Sequence, residues 1–168
     1  PTCGWGYGTD NGLDWTSTIA IIPWTLYLFY GDDQALRDCY ENIRCYVDYV
    51  DSRFPKHLTD WGRGDWVPVT VGSNMELTSS VYFYTDARIL ANAARYGRLA
   101  DDIRQAINDR YLNRETGIYA SGTQTEQSVP LYWGVVPHEC EALVAKRLNE
   151  RVQAADCHLD VGVLGCKA

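Results

Sequence analysis

The sequence predicts an all-α fold made of stacked helical hairpins. Three observations lead there. Apolar side chains recur at the helical period, above all Leu36, Cys39, Tyr40, Ile43, Tyr46, Val47 and Val50, which share one helix face. Period-two alternation is confined to VPVTV at 67–71. The breaks between periodic segments are alternately short and long, as expected when helices pair through tight turns and carry working loops at one end. A length of 168 residues suffices for one domain with a real core.

After a Gly-rich opening, a helix is predicted to start near Ser17, with Thr16 or Ser17 as cap, and to stop at Gly31-Asp32. Pro23 lies within it. Either the first turns form a separate piece, or the helix begins there with Pro at its first position. The second helix starts after Asp32 or Asp33 and carries the stripe named above. A long connection over 53–75 follows. A third helix covers about 77–95, with Tyr84, Ala87, Leu90, Ala91 and Ala94 inward, and ends at Gly97. A fourth runs over 99–110, and 110–125 reads as a turn around Gly117 and Gly122. A fifth, over 124–136, is interrupted by Pro130. The sixth, over 138–153, turns Cys140, Leu143, Val144, Leu148 and Val152 inward, and a seventh begins at HLDVGVLG. Trp24, Tyr27 and Trp133 read as core.

Composition excludes several functions. A formal charge of −7, with Lys and Arg scattered, does not make a nucleic-acid surface. The longest apolar run, IAIIPW at 19–24, is far too short to span a bilayer. No charged n-region with a following apolar stretch opens the chain. The compartment therefore stays open, with a periplasmic or extracellular one slightly favoured. Among the six cysteines, Cys39 and Cys45 sit roughly 9 Å apart along one helix, too far for a bridge. His138, Cys140, Cys157, His158 and Cys166 match no zinc spacing. No metal and no cofactor are expected.

Six Trp and twelve Tyr against three Phe favour rings that present an apolar face and a polar tip, which suits carbohydrate surfaces. Two of the indoles fall in the long connection, where HLTDWGRGDWVPV (57–69) sets Asp60, Trp61, Arg63, Asp65 and Trp66 around Gly62 and Gly64. Such a connection is functional or hides an element. One reading makes it a pocket wall; the other has Trp66 plug the end of the helix stack while Asp65 caps a helix. The opening loop offers Tyr7 and Trp15, with Trp5, as a second aromatic wall. Gln124, Thr125 and Glu126 either face a cavity or cap a helix. His57, His138 and His158 read as surface or capping residues.

Five segments, DWTSTIAIIPWTLYLFYGD (14–32), LTDWGRGDWVPV (58–69), LTSSVYFYTDARILANAARYG (77–97), GIYASGTQTEQSVPLYWGVVP (117–137) and HLDVGVLGCKA (158–168), resemble the catalytic domain of the family 78 glycoside hydrolases, the α-L-rhamnosidases. The resemblance covers nearly the whole chain in order and spacing. It implies an incomplete (α/α)6 toroid with about six helices visible, residues 1–168 forming a single domain within a larger catalytic one. It also implies inverting release of terminal rhamnose from a rhamnose-containing oligosaccharide or glycoside. The remainder of its own domain, or a homo-oligomer, would cover the open flanks of the stack. Many family members carry Trp-Gly-Asp where this chain reads Trp15-Thr16-Ser17, which leaves Asp14 as the nearest carboxyl. Around Gly97 and Arg98 the chain is shorter than its relatives. The family's general acid belongs to an Arg-Asp-Glu-Arg-like segment upstream of the region resembling 3–15, and its base to a later helix–loop unit.

Inverting hydrolysis needs two carboxyls about 6.5–9.5 Å apart on opposite faces of the sugar. Asp14 and Asp65 are the candidates for catalysis within the chain. For substrate binding the candidates are Asp60, Trp61, Arg63, Trp66, Trp15 and Tyr7. Indole covers the apolar face of a deoxyhexose, while carboxylate and guanidinium bind its hydroxyls. Alternatives to a rhamnosidase are another (α/α)6 glycosidase or a polysaccharide lyase, and a non-catalytic sugar-binding domain.

Overall fold

The computed structural model describes residues 11–93 and 97–168. Tyr7, like Trp5, Asp10 and Ala94, lies outside the described residues. The order is α1 (Gly12–Thr16), α2 (Thr18–Tyr30), α3 (Gln34–Arg53), α4 (Met75–Ala93), α5 (Gly97–Tyr111), β1 (Leu112–Asn113), β2 (Ile118–Tyr119), α6 (Gln124–Tyr132), α7 (His138–Ala154) and α8 (Val163–Lys167). Successive long helices pack as hairpins, α2 on α3, α4 on α5 and α6 on α7.

Helix α4 is the hub, touching α1, α2, α3, α5 and α6. Its residues from Leu77 to Leu90 are buried except Arg88. A helix buried all round must dispose of its polar groups internally. Thr85 Oγ1 bonds back to the Val81 carbonyl at 2.9 Å, and Ser80 Oγ accepts the Thr59 N–H at 3.0 Å. The Asn74 carboxamide accepts the Leu77 N–H at 2.9 Å and so closes the first turn. In α3, Ile43, Val47 and Val50 are buried, and Leu36, Cys39, Tyr40 and Tyr46 pack on the same core. That is the predicted stripe.

Several expectations are corrected. Pro23 neither divides α2 nor starts it, because the helix runs through it from Thr18 to Tyr30 and ends on Gly31 at φ 67°. Gly97 opens α5 rather than closing α4. The turn over 110–125 contains an antiparallel hairpin pairing Leu112 with Tyr119 and Asn113 with Ile118. The Asn113 side chain folds its loop by accepting the Glu115 and Thr116 N–H groups, each at 3.0 Å. VPVTV is not a strand. Val67, Val69 and Val71 are exposed there, and the segment is held by Thr70, whose N–H reaches Asp160 Oδ1 at 3.0 Å.

Tyr27 is half exposed rather than core, although it contacts Trp24. The same helix leaves Ile22, Leu28, Phe29 and Tyr30 exposed. A helix that is apolar around its whole circumference normally has partners on every side, so this side of α2 is an uncovered apolar face. Among the described residues no helix is long and apolar enough to cross a membrane.

Candidate functional site

Residues 54–74 form no regular structure, yet they are pinned at nearly every step. The Thr59 N–H goes to Ser80 on α4. The Trp61 carbonyl accepts the Leu13 N–H at 2.7 Å. Asp14 receives the Arg63 N–H at 2.9 Å and the Gly64 N–H at 2.9 Å on the same oxygen, while its other oxygen accepts the Trp15 N–H at 3.0 Å. Asp65 Oδ2 accepts Thr125 Oγ1 at 2.5 Å and the Gly162 N–H at 2.7 Å, and its Oδ1 accepts the Leu164 N–H at 2.9 Å. The Trp66 carbonyl takes the Val163 N–H at 3.0 Å. The Glu126 carboxylate closes the far end on the Asn74 N–H at 2.8 Å. A long loop fixed this way has already lost its conformational freedom before any ligand arrives.

Close backbone approach makes the clamp possible. A side-chain carbon on Gly62 would lie 1.9 Å from Ser79 Oγ and 2.9 Å from Asp14 Oδ2. A carbon on Gly12, at φ 68°, would lie 2.7 Å from the Gly62 Cα. Only hydrogen fits between α1, the loop and α4 at these two points.

The carboxyls of Asp14 and Asp65 are therefore saturated by the protein's own donors. Burial raises the Asp14 carboxyl above its ordinary range, against the opposing pull of the Arg63, Gly64 and Trp15 N–H groups. Asp65 acts as the cap of α8 and its tie to α6. Glu126 belongs to a capping box with Thr123 and also receives Ser121. Gln124 bonds the His158 carbonyl and the Asp160 N–H, and Thr125 bonds Asp65, so of the trio only Glu126 serves the helix start while the other two tie α6 to its neighbours. His57 pairs with Asp51 at 3.2 Å, His138 with Glu141, and His158 bonds its own turn at Ala155. Among the described residues no group of three or more His, Cys, Asp or Glu side chains gathers as a metal site.

What the clamp leaves outward is the remaining candidate set. Asp60, Arg63 and Trp66 are exposed, and Trp61 and Trp15 are half-buried. A small cavity of about 200 Å³ opens between Gly12, Asp60, Trp61, Gly62 and Arg63. The two loop indoles part company. Trp66 meets Trp15 edge-on with centroids 6.1 Å apart. Trp61 leans the other way, stacked on Phe54 and edge-on to Tyr49, with the Arg53 guanidinium 5.4 Å from its ring centre. The aromatic corner is thus Trp15–Trp66, and Trp61 both anchors the loop and lines the cavity.

Two residues beyond the candidates belong to this framework. Ser17 stands where the resemblance leads one to expect a carboxyl, and the carboxyl that meets its hydroxyl is not that of Asp14. It is Asp86 Oδ2, from the middle of α4, at 2.6 Å. The available signal was a single acidic residue in a largely apolar helical stretch, VYFYTDARILANA.

Helical hairpins stacked around a hub, with a long loop clamped across one end, define a hairpin-toroid type of domain. A family model described as the bacterial alpha-L-rhamnosidase 6 hairpin glycosidase domain matches residues 1–168, and the chain belongs to that family. It is 29% identical over 165 residues to an alpha-L-rhamnosidase of Streptomyces avermitilis, covering 92% of this chain and 16% of that protein. Another, from Alteromonas sp. (strain LOR), is 24% identical over 187 residues, with 98% and 20% covered. Among solved structures, the Streptomyces avermitilis alpha-L-rhamnosidase complexed with L-rhamnose superposes with a TM-score of 0.84 at 28% identity, over 89% of this chain and 15% of that one. The alpha-L-rhamnosidase from Dictyoglumus thermophilum gives 0.82 at 30% identity, over 92% and 20%. The chain thus spans about a sixth to a fifth of the length of the proteins it matches.

Proposed function

We propose that the chain forms one wall of the sugar pocket in the catalytic domain of an inverting α-L-rhamnosidase, acting on terminal rhamnose of oligosaccharides or glycosides. The observation that carries this is the clamp: a loop with no regular structure, held by Asp14 and Asp65, which turns Asp60 and Arg63 outward beside a cavity suited to one sugar ring and leaves Trp66 exposed against Trp15. A preformed wall binds a small rigid ligand without first ordering itself. In this reading Asp60 and Arg63 hold hydroxyls, and the Trp15–Trp66 corner covers the apolar face of the deoxy sugar.

Asp14 and Asp65 are positioning residues here rather than proton donors or acceptors. Each already accepts backbone N–H groups, and a general acid or base needs a free lone pair or proton directed at substrate. The acid and base are then carboxyls of other parts of a larger (α/α)6 domain, to which residues 1–168 belong. The uncovered face of α2 is where further hairpins of that domain pack. A second copy of the chain is the alternative occupant.

Steady-state hydrolysis of an aryl α-L-rhamnoside by the whole protein tests the reading. Asp60→Ala and Arg63→Ala are each expected to lower kcat/KM about 10- to 100-fold, the loss of one charge-assisted hydrogen bond of about 1.4–3 kcal/mol. Proton NMR should show the inverted anomer appearing first. Values for both variants within twofold of wild type would exclude the loop as a pocket wall.

A further inference from the structure

The hydroxyl of Ser17 lies between two oxygens, the Leu13 carbonyl at 2.9 Å and Asp86 Oδ2 at 2.6 Å. A serine hydroxyl has one proton and can donate it once. If Asp86 were ionised, one of these contacts would set oxygen against oxygen with no hydrogen between them. A protonated Asp86 removes the conflict. Its Oδ2–H donates to Ser17, and Ser17 donates to Leu13. Asp86 Oδ1, which is buried and has no hydrogen-bond partner among the described residues, is then the carbonyl oxygen of an acid rather than half of a stranded charge.

The surroundings agree. Asp86 is fully buried in the middle of α4, and among the described residues no cation pairs with it. The titratable groups around it are Tyr46 from α3, Tyr82 from its own helix and Asp14 from α1, none of which brings positive charge. Burial pushes the carboxyl well above its ordinary range, with the Ser17 contact opposing.

We propose that Asp86 is a neutral carboxylic acid whose proton, given to Ser17, holds α1 in the position that clamps the sugar loop. The path is short. Ser17 binds the Leu13 carbonyl, the Leu13 N–H binds the Trp61 carbonyl, and the next residue, Asp14, holds the Arg63 and Gly64 N–H groups. Asp86 is thus a positioning residue for the loop. The effect on sugar binding rests on the pocket reading above, whereas the protonation state does not.

The test is an infrared difference spectrum at neutral pH between the whole wild-type protein and its Asp86→Asn variant, in H2O and D2O. The wild type should show the carbonyl band of a protonated carboxylic acid, shifted in D2O and absent from the variant. Absence of that band overturns the proposal. A second readout follows from linkage. The acid's pKa is raised in the folded state, so its stabilisation is complete below the unfolded-state value and is lost as pH rises through the folded-state value. The melting midpoint of the wild type should therefore fall, relative to that of Asp86→Asn, as pH rises from the unfolded-state carboxyl value of about 4 towards the folded-state value, and parallel curves over that range contradict the proposal.

In rhamnoside hydrolysis by the whole protein, Asp86→Leu should raise KM about tenfold or more, and Asp86→Asn, whose amide can donate the same bond, should restore it. Equal KM values for the Leu variant and the wild type overturn the positioning role. The Asp60 and Arg63 variants report separately: if they leave hydrolysis unchanged while the infrared band is present, the pocket reading fails and the buried acid stands.

Discussion

Replacing Asp65 by alanine is expected to lower the free energy of unfolding by about 3–5 kcal/mol. The side chain is buried and accepts from the Gly162 and Leu164 N–H groups and the Thr125 hydroxyl, with the Gly165 N–H at 3.4 Å. Truncation leaves these donors without an acceptor in a place where water enters poorly. It also detaches the loop from both α6 and α8. Asp65→Asn keeps the volume but turns an amide donor toward other donors, so it should recover less than half of the loss. Urea denaturation measures both, as a shift of midpoint at unchanged slope. A loss below about 1 kcal/mol for the alanine variant would mean that α8 does not depend on this cap.

The second large effect is at Gly62, and there it is functional. An alanine methyl would sit 1.9 Å from Ser79 Oγ and 3.1 Å from Ser79 Cβ. Ser79 is fully buried in α4, so the loop has to move instead, carrying Asp60 and Arg63 away from the cavity they line. Displacements of about 1 Å at a positioning element cost on the order of 100-fold in rate. Gly62→Ala is therefore expected to lower kcat/KM by roughly that factor. Adding Ser79→Gly to the same chain removes the nearest obstructing atoms and should recover part of it, the rest being the 2.9 Å approach of the added carbon to Asp14 Oδ2. Equal loss in the single and double variants would show that the close approach at Gly62 does not set the loop.

Local physics made the helices legible. The stripe on α3 repeats at the helical period, and its buried members Ile43, Val47 and Val50 are spaced as one face requires. The place of the long clamped loop was legible too, because the periodic stretches on either side of it end where its glycines and indoles begin. The roles of the carboxyls were not. Asp65 takes its donors from residues 97 to 99 positions further along the chain, and no local pattern carries such a pairing. Asp14 looked like a loop carboxylate, but its partners come from a segment about 49 positions away. Pro23 was read as a boundary because proline removes one helical donor, yet α2 continues through it, flanked by buried Ala20 and Ile21. VPVTV alternates like a strand but has Val67 at φ 55° and no partner strand among the described residues, and its anchors are Trp66 and Thr70. The β1–β2 hairpin was too short to alternate at all.

The most direct test of the pocket wall follows the indole N–H resonances by NMR while L-rhamnose is titrated into the protein. Saturable shifts are predicted for Trp15, Trp61 and Trp66, which border the cavity or the aromatic corner. Trp24, packed beside Tyr27, and Trp133, packed between Tyr82 and Tyr132, should not move. Shifts confined to Trp24 and Trp133, or no saturable shift at millimolar sugar, would contradict the claim that the loop over 54–74 is a rhamnose-binding wall.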